Sequence, residues 1–387
     1  MSQFKRSLTR FLIGIPRSFT PVLNVGKFAL VLRDAEVREV LDRNQDFTIE
    51  EINYENIHRH IGPFILGLDD GERYQRDIGI LRGIIRKDDT DRIRAFSRRV
   101  SQELVDQFNG EFNLIWEYTR KVPLLFCGDY FGVPGPNPKD MLRWNRTIFW
   151  DIFLDLKGKP EIRAAAEKSA KEMKVYLHEL LAGNKAIMNN GGRLADNLFN
   201  RLLGLQLGEK PHFNDDEICG NIAGVYMGAI EPISKSMVNV LGQVYSRPAV
   251  LAEAKEAAAK DDVKTLANIA WEALRFHPNA PALMRFSEKE QRIGKGKRIK
   301  AGKKVLLMTQ SAMFDPRAVN EPKKFISGRP FERYLYFGYG QHTCYGNYIN
   351  FIVIPEMLNA LFKHPTLQPK GKVVWEGPFQ DEWQFGV

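Results

Sequence analysis

The stretch FGYGQHTCYG, Phe337 to Gly346, places one of only three cysteines in the chain among glycines, aromatic rings and a histidine, directly ahead of an apolar segment. A thiolate is a strong, soft ligand for iron, and it stays ionised on the metal only where water is scarce and the surroundings are electropositive. Gly338, Gly340 and Gly346 let the backbone pass close to a flat cofactor, and amide N–H groups near the sulfur of Cys344 would tune the metal. His342 can reach an acidic group on a cofactor edge, and Phe337 can shield the sulfur. A lone cysteine is most often a small buried apolar group. The ten-residue arrangement is far more specific than the cysteine alone.

Two other groups carry possible chemistry. WEALR sets Glu272 and Arg275 three apart, on one helical face, where a surface ion pair is the plain reading. GAIEP, Gly228 to Pro232, puts a carboxylate, Glu231, beside a proline inside an apolar helical stretch. Proline has neither a side-chain nor a backbone donor, removes the bond to the carbonyl of Gly228 and crowds that turn, so a kink or groove is expected there. Glu231 has two open readings: a proton relay or general acid–base group, or an ion-pair partner of Lys235 four residues on.

The elements that must position these groups follow from periodicity. Residues 27–49 read as a strand, a short helix with Val37, Val40 and Leu41 on one face, then a strand or loop. From Asp70 to about Gly204 nearly every segment has helical period. Ile93, Phe96, Val100, Leu104 and Phe108 form one stripe with Asp91 as a cap near its start, and helices follow over 139–158 and 160–183. Residues 214–246 read as one central helix, capped by Asn214 and apolar nearly all round, hence buried. After the WEALR helix, residues 281–314 break into strand-like pieces between turns, and NYINFIVIPEMLNALFKHP forms a last helix. The expected class is mainly α with a small β portion. No repeat or linker divides the chain, so 1–387 reads as a single domain with a short N-terminal segment over 1–26.

At this point the residues resemble a known family. FGYGQHTCYG is similar to the haem-binding loop of the cytochrome P-450 family, F-x-x-G-x-[HR]-x-C-x-G, with Phe337, Gly340, His342, Cys344 and Gly346 at the fixed positions. The resemblance implies a cytochrome P-450 fold over about residues 25–387, a b-type haem with Cys344 as axial thiolate and metal ligand, and His342 on a propionate. A proximal thiolate favours O–O cleavage. Glu272 and Arg275 then look like the family's E-x-x-R pair, which with Arg329 of FISGRP forms a buried structural network, and Arg285 of PALMRF matches a propionate-binding arginine. LDDGERYQRDIGILR resembles the helix that supplies further propionate ligands, with Arg73 and Tyr74 as candidates; the family's usual histidine or tryptophan is absent. GAIEP aligns with [AG]-G-x-[DE]-T, so Ala229 replaces the second glycine and Pro232 replaces the threonine that hydrogen-bonds bound dioxygen. Glu231 and Pro232 are thus the candidate catalytic positions.

The resemblance also places substrate contacts at Phe64 and Ile65, at Phe149, Trp150 and Phe153, at Val225 and Tyr226, and at Ala280, Ala282 and Leu283, with WEGPFQDEWQFGV folding back over the pocket. That lining suits an apolar ligand, although aromatic stripes are more often core. The implied activity is oxidation of a lipophilic small molecule by a haem-thiolate monooxygenase. The alternatives are a peroxygenase or hydroperoxide isomerase that needs no electron partner, and a haem-binding protein without catalysis. A monooxygenase would need a separate electron carrier, an acidic ferredoxin or flavodoxin, because no flavin, nicotinamide or iron–sulfur motif is present.

Composition narrows the partners. With 44% hydrophobic and 27% charged residues the chain is an ordinary globular one, and no apolar run approaches the roughly 18 residues of a membrane span. The apolar core FLIGI is too short for a secretory signal, and three scattered cysteines (Cys127, Cys219 and Cys344) fit a reducing cytoplasm better than a disulfide framework. A formal charge of +9 admits nucleic acid, an anionic membrane surface or an acidic protein. The densest basic run, RIGKGKRIKAGKK (Arg292 to Lys304), reads as hairpin strands without a nucleic-acid-binding signature, so nucleic acid is not expected. The run is a solvated hairpin or a docking patch for an acidic electron carrier.

Overall fold

The computed structural model describes residues 14–155, 157–207 and 213–387; most of the basic and apolar opening segment, residues 1–13, lies outside them. A short helix at residues 14–19 (α1) leads into the antiparallel hairpin β1 (Val22–Val25) and β2 (Phe28–Val31), which turns at Gly26 with φ +53°. Four helices follow: α2 (Asp34–Asp42), α3 (Glu50–Ile61), α4 (Glu72–Ile84) and α5 (Thr90–Val105). Val37, Val40 and Leu41 of α2 are buried together, as their spacing requires. The segment after α2 is no strand; only Thr48 bridges to Phe286. Asp91 does not cap α5: it lies inside the first turn, where a carboxylate still favours the helix dipole.

Beyond β3 (Glu111–Asn113), α6 (Lys121–Phe126) is flanked by π turns, and α7 (Pro138–Phe149) runs into a π turn at Trp150–Leu154. The Asn137 side chain caps α7 by accepting the Asp140 N–H at 2.9 Å, with Pro138 where no donor is needed. Then come α8 (Pro160–Asn189), α9 (Leu198–Gln206), α10 (Asp215–Met227), α11 (Ile230–Tyr245), α12 (Pro248–Ala259) and α13 (Val263–Phe276). The β portion follows with β4 (Leu283–Ser287), β5 (Gln291–Ile293), β6 (Lys297–Ile299) and β7 (Lys303–Leu307). After α14 (Thr309–Ala312) and α15 (Asn347–Lys363), the chain closes with the β8 (Gln368–Glu376) and β9 (Phe379–Gly386) hairpin.

The central segment departs from the single helix expected. Asn214 does start it, in a capping box with Glu217, but the helix divides between Met227 and Ile230. Pro232 is the cause: it falls in the first turn of α11, where its missing N–H breaks no helical bond. Two helices with a junction at Gly228 and Ala229 therefore cost less than one kinked helix.

Sheet pairing joins distant parts of the chain. The larger sheet has the order β1-β2-β7-β4, with β2 parallel to β7, and a second has the order β3-β9-β8. The basic run forms the antiparallel β5–β6 pair, so the hairpin reading of Arg292 to Lys304 is what the backbone does. Buried apolar side chains of α10, α11, α13 and α15 join those of the larger sheet in one contiguous core.

Candidate functional site

The cysteine loop is shaped by its own backbone. Gly338 and Gly340 adopt φ +81° and +68°, the left-handed region that favours glycine, and the Cys344 N–H donates to the Phe337 carbonyl at 2.7 Å, closing the loop. A Cβ on Gly340 would meet the Leu41 carbonyl at 3.1 Å and the Asp42 carboxylate at 2.9 Å, so the loop lies hard against α2. Gly346 is different: it caps α15 with ordinary backbone angles, and a Cβ there would meet only the Asn350 side chain, at 3.8 Å. Nothing within the chain demands glycine at 346.

Cys344 sits just ahead of α15; the Asn347 N–H donates to its carbonyl at 3.2 Å, and the amides of Gly346 and Asn347 lie near its sulfur. Burial nevertheless pushes its thiol above the ordinary value, with those two amides pulling the other way. A thiolate here therefore needs a cation beside it, which a bound iron would supply. The other two cysteines have no such donors: burial raises Cys127 strongly, and burial with Asp215 and Asp216 pushes Cys219 up to about 12. Phe337 packs edge-on to Trp271 and Phe351, with ring centroids 6.1 and 5.6 Å away.

A cationic cradle lies next to this loop. Arg285, on β4, is 6% exposed; its Nη1 donates to the adjacent Met284 carbonyl at 2.9 Å, and its Nε has no partner. Burial lowers its pKa to about 10, although Asp69 and Tyr74 work against the shift. Asp69 is already engaged, accepting the N–H groups of Ile49 and Glu50 at 2.6 and 3.1 Å. His342 is pushed down to about 4 by burial first and then by the Arg285 charge, with Asp70 opposing. Tyr74 packs edge-on to His342 at 4.8 Å and donates to the Gln341 carbonyl at 3.0 Å. A buried guanidinium with a spare donor beside a histidine is costly by itself and fits an anionic ligand, such as a cofactor carboxylate. The donor set thus suits haem: a soft sulfur at one point, and at another a cationic guanidinium beside a neutral imidazole for carboxylates.

Arg73 does not join the cradle, which corrects its assignment. Its side chain is 45% exposed and turned toward Asp77 and Glu217, 3.9 and 3.5 Å away. Neighbouring helical residues point about 100° apart, so burying Tyr74 turns Arg73 outward.

Beneath the loop the carboxylate of Glu272 collects partners from several segments. Arg275 holds it in a fork at 2.7 and 3.0 Å, Arg329 Nε stands at 3.3 Å, and the Ile326 N–H and Tyr334 hydroxyl donate at 3.0 and 3.2 Å. Arg275 spends its other donors on the carbonyls of Met313, Pro322 and Lys324. Tyr334 was not singled out in the sequence; only its position beside FISGRP could have pointed to it.

At the α10–α11 junction, Gly228 is exposed and Pro232 half-exposed, while residues 218–227 and 229–231 are all buried. Ser236, one turn on from Pro232, is buried and accepts the Asn279 amide at 2.8 Å, so the exposed surface at Gly228 and Pro232 carries no hydroxyl donor. Glu231 is turned from it. Its carboxylate ion-pairs with Arg120 at 2.9 Å and Arg146 at 3.7 Å, and Asp381 of β9 is shared between the same arginines at 3.1 and 2.9 Å. Burial raises its pKa despite Arg120 and Arg146. Arg120, just ahead of α6, and Arg146, on α7, are far from Glu231 along the chain and are marked by no local pattern.

The proposed substrate positions divide. Phe149, Trp150 and Phe153 are half-exposed; Phe149 and Phe153 pack at 4.9 Å, and Trp150 meets Phe379 at 5.9 Å, so the final hairpin does fold over this region. Ala280, Ala282 and Leu283 are half-exposed, and Leu283 approaches Gly338 of the cysteine loop. Tyr226 is a correction: it is 2% exposed, its hydroxyl donates to the Met141 carbonyl, and its ring fills the core between α10 and α7. Val225, Phe64 and Ile65 are buried too, with the Phe64 ring laid on Gly224.

Comparison with known proteins agrees with this geometry. Residues 137–364 match the family described as "Cytochrome P450". The chain is 25% identical over 296 residues to "Putative cytochrome P450 YjiB" of Bacillus subtilis (strain 168), covering 74% of this chain and 69% of that protein. It is 24% identical over 288 residues to "Steroid C26-monooxygenase" of Mycolicibacterium smegmatis, covering 74% and 68%. Among solved structures, CYP109E1 from Bacillus megaterium in complex with testosterone superposes with a TM-score of 0.83 at 18% identity, covering 100% of this chain and 99% of that one.

Proposed function

The chain belongs to the cytochrome P450 family and is therefore a haem-thiolate oxidoreductase; from that premise we propose that it is a monooxygenase of a lipophilic small molecule, with Cys344 as the axial ligand. The observation that carries the assignment is the Cys344 loop, closed by the Cys344 N–H on the Phe337 carbonyl at the start of α15, together with the buried Arg285, whose Nε has no partner. When bound, the haem supplies an iron whose thiolate ligand favours O–O cleavage. Arg285 and His342 would hold its propionates, Tyr74 orients His342, Gly340 lets the loop pack on α2, and Gly346 leaves room for the ring. Glu272, Arg275 and Arg329 keep the loop in register from below. The described residues act as one haem domain, a reading supported by β2 pairing with β7 and β3 with β9, which tie the two ends of the chain together.

A lipophilic substrate is supported by the half-exposed apolar positions Phe149, Trp150, Phe153, Ala282 and Leu283, by the relative named Steroid C26-monooxygenase, and by the structural neighbour in complex with testosterone. Electrons come from a separate acidic ferredoxin or flavodoxin. The test is the absorption spectrum of the dithionite-reduced protein under carbon monoxide. A strongly red-shifted Soret band that Cys344→Ala abolishes is expected, and a variant that keeps the band would defeat the assignment.

A second reading rests on Pro232. The accessible face of the central helices offers Gly228 and Pro232 and no hydroxyl, so hydrogen peroxide or a substrate hydroperoxide, whose O–O bond is already formed, is the oxidant favoured by this face. Product formed with peroxide but not with NAD(P)H and redox proteins would select this reading.

A further inference from the structure

The junction of α10 and α11 presents Gly228 and Pro232 at the surface, yet the two helices do little to fix the angle between them. Pro232 has no N–H to return to the Gly228 carbonyl, and Ala229, at the start of α11, has no side chain that can cap it. The backbone bonds at the break are local: the N–H groups of Gly228 and Ala229 donate to the Gly224 and Tyr226 carbonyls, both at 3.2 Å.

Side-chain amides grip each end instead. Asn145 of α7 donates to the Tyr226 and Met227 carbonyls at 3.2 and 3.4 Å, filling acceptors that α10 leaves open at its C-terminus. Asn279 grips the start of α11: its Nδ2 donates to the Pro232 carbonyl and to the Ser236 Oγ, both at 2.8 Å. Both Nδ2 protons are thereby spent within the chain, so this amide has no donor left for a ligand.

Asn279 is itself held by a chain of polar contacts. Its Oδ1 accepts the Asn239 amide at 3.2 Å, Asn239 accepts the Gln380 amide at 3.0 Å, and the Gln380 carbonyl accepts Arg120 at 2.8 Å. Arg120 faces Glu231 at 2.9 Å, so the chain begins at Glu231 and returns to its neighbour, Pro232. Asn239, Gln380 and Arg120 are all buried, and directional bonds among buried side chains leave few alternative arrangements. Asn279 also follows α13, which bears Glu272 and Arg275, and directly precedes the half-exposed Ala280 and Ala282.

We infer that Asn279 is a positioning residue: by gripping the Pro232 carbonyl and the Ser236 hydroxyl it sets the angle of the α10–α11 junction, and with it the surface that Gly228 and Pro232 hold over the haem. The inference rests on the haem-thiolate reading and adds a residue that acts through the helix rather than on the reacting atoms.

The test compares haem-loaded wild type with two variants at neutral pH. Asn279→Asp keeps the shape and the acceptor for Asn239 but loses both donors, and Asn279→Ala loses all three bonds. One readout is the infrared C–O stretch of the dithionite-reduced carbon monoxide complex, which senses the surface over the iron. The other is amide hydrogen exchange across residues 226–236. In both variants the stretch should broaden or split and exchange over 226–236 should quicken about tenfold, with the red-shifted Soret band and exchange in α15 unchanged. An unchanged stretch overturns the proposal even where exchange quickens, because Asn279 would then be a structural tie. Faster exchange throughout the chain, or loss of the Soret band in both variants, overturns it too. A change in one variant alone also counts against it: in Asn279→Asp it would report the introduced charge, and in Asn279→Ala the lost bond to Asn239. Wild type without a red-shifted band would sink the haem-thiolate reading, and this proposal with it, before any variant is compared.

Discussion

Replacing Arg285 by leucine should move two quantities in opposite directions. With partners from this chain alone, the guanidinium is buried, bonded to its neighbour's carbonyl and left with a spare Nε. Its pKa falls from 12.5 to about 10, chiefly through burial. The folded value lies below the unfolded one, so the fold penalises the charged form at every pH below about 10, and the penalty is constant across the neutral range. A displacement of that size corresponds to about 3 kcal/mol. Leucine removes the penalty, so the haem-free protein should gain up to about 3 kcal/mol. With an unfolding entropy of about 2 cal/mol/K per residue, a chain of 387 residues should then melt roughly 4 °C higher. The haem-loaded protein should lose a charge-assisted hydrogen bond of about 1.5–3 kcal/mol, which makes haem loss roughly ten- to a hundred-fold faster. Calorimetry of the haem-free protein and transfer of haem to a scavenging apoprotein measure the two effects. If leucine leaves both the melting temperature and the rate of haem loss unchanged, Arg285 is not a cradle held ready for an anion.

Three further outcomes follow from other parts of the structure. Glu272→Gln keeps the shape of the network but leaves Arg275 and Arg329 without their carboxylate; the expected loss is about 3–5 kcal/mol in urea unfolding, and a loss below about 1 kcal/mol would refute the role of the charge. Burial alone would push the Asp89 carboxyl up, but hydrogen bonds from Arg201, Tyr130 and the Arg86 N–H outweigh it and hold the pKa at about 2. This folded value is below the unfolded 3.8, so the stabilisation is present above about pH 4 and disappears as the pH falls through 2. Asp89→Asn should therefore be less stable than wild type at neutral pH by a gap that narrows below about pH 4, and urea midpoints showing a constant gap would contradict this. Pro232→Thr restores a hydroxyl to the accessible face, so turnover with NAD(P)H and redox proteins should rise relative to turnover with peroxide; an unchanged ratio would show that Pro232 does not select the oxidant.

What could be read from the sequence was set by distance along the chain. The cysteine loop, the Glu272 and Arg275 pair, the Asn214 cap and the β5–β6 hairpin all form between residues a few positions apart, where spacing alone fixes geometry. The partners of Glu231 come from α7 and from the residue preceding α6, and no local pattern predicts which arginine a buried acid will meet. The same holds for the buried pair of His60 on α3 and Asp151 in the π turn after α7, 2.6 Å apart, which no local pattern marks.

The helix α4 shows that some of the remainder was legible after all. Arg73 and Tyr74 look like equal candidates when matched to a motif, because a motif records order and not direction. Phase decides between them. Tyr74, Ile78 and Leu81 stand four and three residues apart and are all buried, so they define the inward stripe, and Arg73, one residue off it, must face outward. Asp77 obscures that stripe, being polar yet 1% exposed. Burial raises its pKa against the pull of Arg76 and Arg73, so the acid occupies a core-facing position and draws both arginines to the helix edge. Reading the apolar anchors Ile78 and Leu81 first, and assigning ligands only to side chains in phase with them, would have kept Tyr74 and set Arg73 aside without the structure.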